Sequence, residues 1–238
     1  MTTEQPSSEL VWETVFKQCE WGKYPPEDLI RFVSSHFYQI QNRGIIKILE
    51  LGCGPGANLW YLAKEGFSPY GIDISKTAIS RAAKRLNTEF PTWNGQLVVG
   101  DFLTLPFEND YFDAVIDLES VYCNSYENSR AIYKEAARVC KLGGYIYSRT
   151  FASDTYGDKT GINLGHNAWQ ATSGPFLGKG YARFTDQSEI PELFLGFKIL
   201  ELELISRTVN NMQNEIKEWS IIGIKVSEKS YLKDEVLD

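Results

Sequence analysis

The sequence predicts an α/β fold in which a doubly wound, mostly parallel seven-stranded sheet lies between two layers of helices and ends in an antiparallel closing hairpin. Two patterns lead to this prediction. Apolar runs of strand length alternate with segments of helical periodicity from residue 45 to residue 151, and the first run is apolar at both parities, as in a strand covered on both faces. Alternation of this length forms parallel sheets, whose ligands bind at the carboxyl ends of the strands.

Each element follows from its own pattern of apolar residues. Strands are predicted at residues 45–51, 67–74, 96–100, 112–118 and 145–151. The helices between them are marked by apolar residues three or four positions apart, at residues 59–63, 78–86 and 132–140. Residues 197–206 and 218–226, joined by a polar stretch, indicate the two strands of the closing hairpin.

Two segments lie outside this alternation. Residues 1–43 hold an aromatic stretch, from Trp12 to Tyr24, followed by an amphipathic helix over residues 29–40, and we expect them to form a helical lid. Residues 152–190 hold six glycines and little periodicity. We expect this insert to be a second lid, ordered mainly when substrate is present. Residues 44–238, including the insert, are the main part of a single-domain chain.

The composition excludes several classes of protein. The chain has 238 residues, of which 43% are hydrophobic, so a core can form. With 24 Lys and Arg against 31 Asp and Glu, the net charge is −7, and no whole-molecule field favours nucleic acid or an anionic membrane. No apolar run approaches the roughly 20 residues that span a bilayer.

Targeting and metal-binding patterns are not found either. The amino terminus has no basic residue before Lys17 and no apolar run typical of a secretory signal, so we expect a cytoplasmic protein. The four cysteines are far apart, and the two histidines share no ligand spacing with them. We therefore expect neither disulfides nor a metal site.

The most informative segment is Glu50-Leu51-Gly52-Cys53-Gly54-Pro55-Gly56, where the first predicted strand becomes a helix. Glycines at such a turn let the backbone approach a ligand closely. Taken as G-x-G-x-x-A up to Ala57, and with Asp73 about 20 residues onward, the segment also fits a dinucleotide-binding fingerprint. The glycine loop and Asp73 alone therefore do not identify the cofactor.

At this segment the chain resembles the class I S-adenosylmethionine-dependent methyltransferases, which have a Rossmann-like fold and an acidic residue two positions before G-x-G-x-G. Further segments match the family in the right order: Gly71–Ser75, Val99–Phe102, Phe112–Ile116 and Ala136–Gly144. The last of these resembles the turn into the fifth strand, with Leu142 where a proline is common. Agreement of several weak motifs over residues 45–151 is far more specific than any one of them.

The resemblance implies S-adenosylmethionine as the cofactor. Asp73 would accept hydrogen bonds from the ribose hydroxyls and Asp101 from the adenine amine, and a carboxylate, which only accepts, suits both donors. Glu50 would support the methionine end or tie down the amides of the glycine loop. The full set of expected cofactor contacts is Glu50, Gly52, Gly54, Gly56, Asp73, Ile74, Asp101, Phe102 and Leu118.

The sequence says less about the methyl acceptor. The Asn/Asp-Pro-Pro-aromatic motif and the Pro-Cys pair of nucleic-acid methyltransferases are missing, so we expect a small-molecule acceptor methylated on oxygen or nitrogen, and no nucleic-acid partner. Candidate acceptor contacts are Glu119, Tyr122, Arg149, Arg183 and His166. The two arginines are expected to hold an anion on the acceptor, and the histidine is the candidate base.

Two other functions fit the same residues. One is a nicotinamide-dependent oxidoreductase that uses the glycine loop for its dinucleotide. The other is a non-catalytic module that binds S-adenosylmethionine, since a fold does not by itself fix a function. Binding measurements with each cofactor distinguish the oxidoreductase from a methyltransferase. A search for a methylated product distinguishes the non-catalytic module from an enzyme.

Overall fold

The computed structural model describes residues 7–227. The helices of this range are α1 Ser8–Gln18, α2 Glu27–Phe37, α3 Ala57–Lys64, α4 Lys76–Glu89, α5 Tyr126–Val139 and α6 Ile190–Leu193. The strands are β1 Lys47–Leu51, β2 Ser68–Asp73, β3 Gln96–Val99, β4 Phe112–Leu118, β5 Cys140–Phe151, β6 Ile162–Gly165, β7 Ala168–Gln170, β8 Ala182–Arg183, β9 Phe197–Val209 and β10 Asn214–Lys225.

Seven of these strands form one sheet in the order β3-β2-β1-β4-β5-β10-β9. The first five are parallel to their neighbours, whereas β10 pairs antiparallel with both β5 and β9. The predicted fold class is confirmed. The chain order reverses between β1 and β4, which places a ligand-binding crevice at the carboxyl ends of these two strands.

Helices cover both faces of the sheet because its central strands are apolar on both sides. Neighbouring residues of a strand point to opposite faces, and in β1 Ile48 packs into one apolar cluster and Leu49 into the other. The first cluster includes Phe32 of α2 and Leu62 of α3. The second includes Ile132 of α5. The sheet is therefore a rigid support for the loops that follow its strands.

Serine residues begin two of the helices that follow these strands. The Ser75 hydroxyl accepts a hydrogen bond from the Ala78 backbone N–H at 3.1 Å, at the start of α4. The Ser125 hydroxyl accepts one from the Asn128 N–H at 3.2 Å, at the start of α5. Such caps satisfy amide groups that have no partner within the helix, and they fix the point at which each loop ends.

Some boundaries differ from the prediction. β5 begins at Cys140, which pairs with Phe112, and the expected turn at Gly143-Gly144 is a register shift within the strand. A glycine at φ 76°, Gly143, permits this irregularity. The closing hairpin is longer than predicted because most of its polar joining stretch is exposed strand, with a tight turn at residues 210–213.

The first part of the amino-terminal aromatic stretch belongs to a helix, α1, for which the sequence shows no clear periodic pattern. Trp12 and Phe16 are four residues apart and therefore lie on one helical face. Their rings are 5.8 Å apart, and the ring of Trp21 lies within 6.1 Å of each. Only this one face is apolar, so a short helix of this kind gives a weak periodic signal.

The insert at residues 152–190 differs from the irregular segment that its glycines predicted. It contains a small antiparallel sheet, β6-β7-β8, and its Phe176 and Phe184 are fully buried against Tyr122 and Phe151. All six of its glycines have positive φ, between 73° and 108°. They allow tight turns between short ordered pieces, so a high glycine content does not mean low order here.

Two further findings concern the described range as a whole. Between residues 7 and 227 no helix is long and apolar enough to cross a membrane. The same range holds no group of three or more His, Cys, Asp or Glu side chains placed to bind a metal ion.

Candidate functional site

A cavity opens at the carboxyl ends of β1 to β5, where the topology places a ligand site. Its wall combines the loops after these strands with α1 and part of the insert. Of the nine residues expected to contact a cofactor, eight line it: Glu50, Gly52, Gly54, Asp73, Ile74, Asp101, Phe102 and Leu118. The ninth, Gly56, begins α3 away from the cavity wall, and a Cβ there would lie 2.9 Å from the Cβ of Ala82. Its role is helix packing.

The glycine loop lies directly under this cavity. Gly52 and Gly54 have φ of 66° and 50°, values that favour glycine. A Cβ on Gly52 would lie 2.3 Å from the hydroxyl oxygen of Ser120, and one on Gly54 would lie 3.4 Å from the ring of Phe16. The loop therefore fits closely between the segment after β4 and helix α1.

Asp73 holds the glycine loop in place from the end of β2. Its Oδ2 accepts a hydrogen bond from the Gly54 N–H at 2.9 Å, and its Oδ1 accepts one from the Ser75 N–H at 2.8 Å. Burial raises the pKa of this carboxyl, while the two backbone hydrogen bonds oppose that change. Each carboxylate oxygen can accept a further hydrogen bond, so Asp73 can hold the loop and receive ligand donors together.

Glu50 lies at the base of the cavity, at the end of β1. Its Oε1 accepts a hydrogen bond from the Asn58 amide at 2.6 Å, whereas its buried Oε2 has no partner among the described residues. Burial raises the pKa of this carboxyl well above its usual range. The expectation that Glu50 ties down the loop amides is wrong, because Asp73 does so. The free Oε2 is an acceptor for a ligand donor.

Asp101 and Phe102 follow β3 on the next side of the cavity. One oxygen of Asp101 accepts a hydrogen bond from the Leu103 N–H at 3.0 Å, which leaves the other free for a ligand. The ring of Phe102 is 3.3 Å from the point where Gly52 would carry a Cβ. The sequence-predicted adenine contacts therefore lie beside the glycine loop, as a single nucleoside would require.

Helix α1 covers the cavity from the glycine loop to the insert. Ser8, Trp12 and Phe16 from α1 line the wall, together with Trp21. The helix is held by Glu13, whose oxygens accept hydrogen bonds from the Ser75 and Thr77 hydroxyls, both at 2.6 Å. These hydrogen bonds lower the pKa of Glu13 to about 2. The contact joins α1 to the residues that directly follow Asp73.

We expect Glu13→Ala to loosen α1 and weaken cofactor binding by up to about tenfold, the value of one hydrogen-bonded group. Because the pKa of Glu13 is lowered by folding, its stabilising contribution is complete above its ordinary pKa of 4.5 and is lost as the pH falls towards 2. Hydrogen exchange of α1 in wild type and variant measures the effect. Glu9→Ala, on the same helix, is the matched control, and equal protection in all three proteins would contradict this role.

Glu119 lies on the opposite side of the cavity, directly after β4. It is a non-glycine residue with φ 57°, a conformation that costs energy and is often found at functional sites. Its N–H donates to the Arg149 carbonyl at 2.8 Å. Burial and the neighbouring Glu218 raise the pKa of the Glu119 carboxyl to about 8. This group therefore holds a proton at neutral pH.

Arg149, which the sequence predicts as an acceptor contact, does not line the cavity. Its guanidinium lies behind the cavity wall, where it donates to buried Glu218, donates to Asp28 of α2 at 3.2 Å, and lies 3.6 Å from Glu119. Three carboxyl groups thus surround one arginine. A single positive charge cannot balance all three, and the pKa of the Glu119 carboxyl is raised accordingly.

His166 and Arg183 are also placed away from the cavity. Both pair with Glu189: the His166 Nε2 at 2.9 Å and the Arg183 guanidinium at 3.1 Å. The His166 ring stacks on Tyr126, with 4.0 Å between ring centroids, and Arg183 is buried. The structure does not bring Arg149 and Arg183 together. Within the insert Glu189 pairs with both side chains, and the buried Arg183 Nε has no hydrogen-bond partner among the described residues.

Tyr122 and one unpredicted residue, Lys179, complete the wall, and a second unpredicted residue, Asp117, lies buried behind it. Tyr122 lines the cavity, and burial raises its pKa well above the usual range. Lys179, from the insert, is the cation of the wall, with its Nζ 5.1 Å from the centre of the Trp21 ring.

Asp117, fully buried at the end of β4, accepts hydrogen bonds from the Ser120 and Val121 N–H groups, both at 3.1 Å. A polar residue ending an apolar run was the sequence signal for Asp117.

Comparison with known proteins agrees with this geometry. Residues 48–144 match a family described as "Methyltransferase domain". A sterol 24-C-methyltransferase of Gibberella zeae is 32% identical over 142 residues, which are 57% of this chain and 36% of that protein. A fatty-acid O-methyltransferase of Mycolicibacterium smegmatis is 35% identical over 103 residues, or 42% and 35% of the two chains. The match thus spans about a third of the length of these relatives.

Solved structures share the fold over a larger part of the chain. A SAM-dependent methyltransferase of Methanosarcina mazei has a TM-score of 0.64 and 24% identity, covering 81% of this chain and 99% of the other. The [4+2]-cyclase SpnF has a TM-score of 0.66 and 16% identity, covering 94% and 98%. Since the second protein is named for a different reaction, these likenesses establish the fold, and the chemistry must be argued from the cavity.

Proposed function

We infer that this protein, whose residues 48–144 belong to the methyltransferase domain family, is an enzyme that transfers the methyl group of S-adenosylmethionine to an oxygen or nitrogen atom of a small-molecule acceptor. The observation that carries this inference is the set of carboxyl acceptors on the cavity wall. Glu50, Asp73 and Asp101 stand around the glycine loop, with no lysine or arginine of the described chain beside them. Such a wall suits a cationic nucleoside without phosphate groups.

The residues present fit S-adenosylmethionine. The free Oε2 of Glu50 can accept a hydrogen bond from an ammonium group, Asp73 can accept from ribose hydroxyls, and Asp101 can accept from an adenine amine. When bound, S-adenosylmethionine supplies an electrophilic methyl carbon on a positively charged sulfur. The protein's part is to hold the acceptor atom in line with that carbon and to exclude water.

A dinucleotide fits the same loop poorly. A pyrophosphate needs free backbone N–H groups or cations at the glycine turn, but the Gly54 N–H already donates to Asp73. The carboxylates of Asp73 and Asp101 beside the turn also offer a phosphate group no hydrogen-bond donor. These points favour the methyl donor over a nicotinamide cofactor.

The cavity continues beyond the cofactor side, which favours an enzyme over a binding module. Tyr122, Phe151 and Pro175 line this second part, with Glu119 and Lys179 as its charged residues. The named relatives act on sterols and fatty acids, and a small apolar acceptor suits such a wall. We therefore assign this part of the cavity to the methyl acceptor, with Glu119 and Tyr122 as its contacts.

Isothermal titration calorimetry tests the cofactor assignment directly. We expect S-adenosylmethionine and S-adenosylhomocysteine to bind with one site per chain and NADH to give no heat of binding. Incubation of the protein with isotopically labelled methyl donor and a cell extract, followed by mass spectrometry, then tests transfer. Binding of NADH in place of the nucleosides would reject the proposal, and cofactor binding without any labelled product would favour the binding module.

A further inference from the structure

Lys179 occupies an unusual position in the cavity. Among residues 7–227 it is the only lysine or arginine on the wall, and it lines both the main cavity and a smaller neighbouring cleft that includes Gln170 and Tyr181. Its Nζ stands over the Trp21 ring, and it makes no ion pair with a carboxylate of the described chain. A cation left without an anion in a mainly aromatic wall is a contact for an anionic ligand.

Glu119 lines the same part of the cavity, and its raised pKa favours a protonated carboxyl group. Its carboxyl group and that of Glu218 both approach the Arg149 guanidinium, and burial beside a second carboxyl group raises the pKa of Glu119 and so favours its protonated form. Glu218 is buried and pairs with Arg149, so its charge is satisfied from the other side. Glu119, on the wall, is then the group that keeps the proton and can donate it in a hydrogen bond.

The rest of this acceptor region is apolar. Trp12, Trp21, Tyr122, Phe151 and Pro175 contribute rings to the wall. Such surfaces bind the apolar body of a ligand, while a few polar groups fix its orientation. The two polar groups available here are a cation and a proton donor.

We propose that the methyl acceptor is a carboxylic acid with an apolar body, whose carboxylate is held between Lys179 and Glu119 and is methylated on oxygen. The proposal rests on the methyl transfer inferred above and names the substrate class. A positively charged ammonium acceptor would meet Lys179 as a like charge. A neutral alcohol would leave the lysine charge unpaired and would need a base.

The reaction of a carboxylate requires no base. The carboxylate oxygen forms a bond to the methyl carbon, the carbon–sulfur bond breaks, and its electron pair goes to sulfur. The products are a methyl ester and S-adenosylhomocysteine, and no proton is released. This agrees with a site in which His166 is held by Glu189 outside the cavity, so that no imidazole faces the acceptor.

The proposal has a definite dependence on pH. The charged and titratable groups facing Glu119 are Glu218 from β10, Arg149 from β5, Asp28 from α2, Lys179 from the insert and Tyr122. With the pKa of Glu119 at about 8, this residue donates at pH 7 and becomes an anion at pH 9. Carboxylate binding should then weaken about tenfold between these values.

Binding to the complex with S-adenosylhomocysteine tests the proposal without turnover. The probes are dodecanoate and 4-phenylbutyrate, with dodecan-1-ol and dodecylamine as matched neutral and cationic compounds, and the signal is the fluorescence of Trp12 and Trp21. We expect at least one carboxylate to bind at least tenfold more tightly than its matched compounds. With S-adenosylmethionine the same carboxylate should yield its methyl ester.

Substitutions at Lys179 and at Glu119 separate the roles of the two polar groups. Lys179→Met should weaken carboxylate binding about tenfold to a hundredfold, Lys179→Arg should restore most of it, and Lys134→Met, on the exposed face of α5, should have no effect. Glu119→Gln keeps a neutral donor at every pH, so its carboxylate affinity should stay constant from pH 7 to pH 9. Circular dichroism checks that each variant is folded.

Several outcomes would overturn the proposal. They are preferred binding or methylation of the alcohol or the amine, carboxylate binding that strengthens above pH 8, and unchanged carboxylate binding in Lys179→Met. Failure of both carboxylates to bind would overturn it as well. S-adenosylhomocysteine binding is measured separately from carboxylate binding. If only carboxylate binding fails, the acceptor assignment is wrong. If S-adenosylhomocysteine also fails to bind, the proposed methyltransferase function is wrong.

Discussion

Asp73→Ala is expected to weaken S-adenosylmethionine binding by about 3 kcal/mol or more, a factor of at least about a hundred. Two losses combine in this variant. The ribose hydroxyls lose a charged acceptor, which accounts for about 1.5–3 kcal/mol. The Gly54 N–H also loses its partner at 2.9 Å, so the glycine loop no longer has a fixed conformation before the ligand arrives.

Calorimetry with two further variants separates these losses. Asp101→Ala removes a ligand acceptor whose only described contact is the Leu103 N–H beside it, so its loss should be smaller, near 1.5 kcal/mol. Asp110→Ala, on the far side of the sheet and paired with Lys225, is the control and should bind as wild type does. If Asp73→Ala also binds as wild type does, then the end of β2 is not the ribose site.

Asp117→Ala is expected to lower the free energy of unfolding by about 3–5 kcal/mol. The carboxylate is fully buried and accepts four hydrogen bonds, from Ser120 and Val121 N–H and from the Tyr133 and Ser148 hydroxyls. Without it, these donors stay buried with fewer partners. The segment after β4, which carries Glu119 and Tyr122 into the cavity, would also lose its support.

Urea denaturation of wild type, Asp117→Asn and Asp117→Ala measures this effect. The asparagine variant keeps one acceptor oxygen for the backbone N–H groups, so we expect a smaller loss of stability. Asp113→Ala is a matched control at the other end of the same strand, where its carboxylate is partly exposed and pairs with Lys141. If Asp117→Ala is no less stable than this control, the buried network does not hold the loop.

The cofactor half of the site could be predicted because local chain position determines it. The glycine loop follows β1, Asp73 ends β2 and Asp101 follows β3. In a parallel sheet the carboxyl ends of neighbouring strands meet at one edge, so identifying the strands was enough to bring these residues together. One predicted cofactor contact, Gly56, does not line the cavity. It packs closely against Ala82, where a side chain would not fit.

The acceptor half could not be predicted in the same way. Arg149 and Arg183 were expected to contact a ligand because each follows a strand or lies in a loop, but both pair with carboxylates of the chain. Glu189, six residues away, pairs with Arg183, whereas the carboxylates that pair with Arg149 come from distant parts of the chain. Asp28 is 121 residues from Arg149, and Glu218 is 69 residues from it. No spacing rule in the sequence relates residues so far apart.

Hydrophobic periodicity, turn glycines and strand-terminal carboxylates act over a few residues, and they were sufficient for the sheet, its order of elements and the cofactor side of the cavity. The docking of α1, the folding of the insert and the sharing of charge among Asp28, Glu119, Arg149 and Glu218 depend on contacts between segments far apart in the chain. The charge state of Glu119 is an example, because burial and a neighbour on β10 raise its pKa to about 8. Such a shift arises only when folding removes the carboxyl group from water and places another beside it.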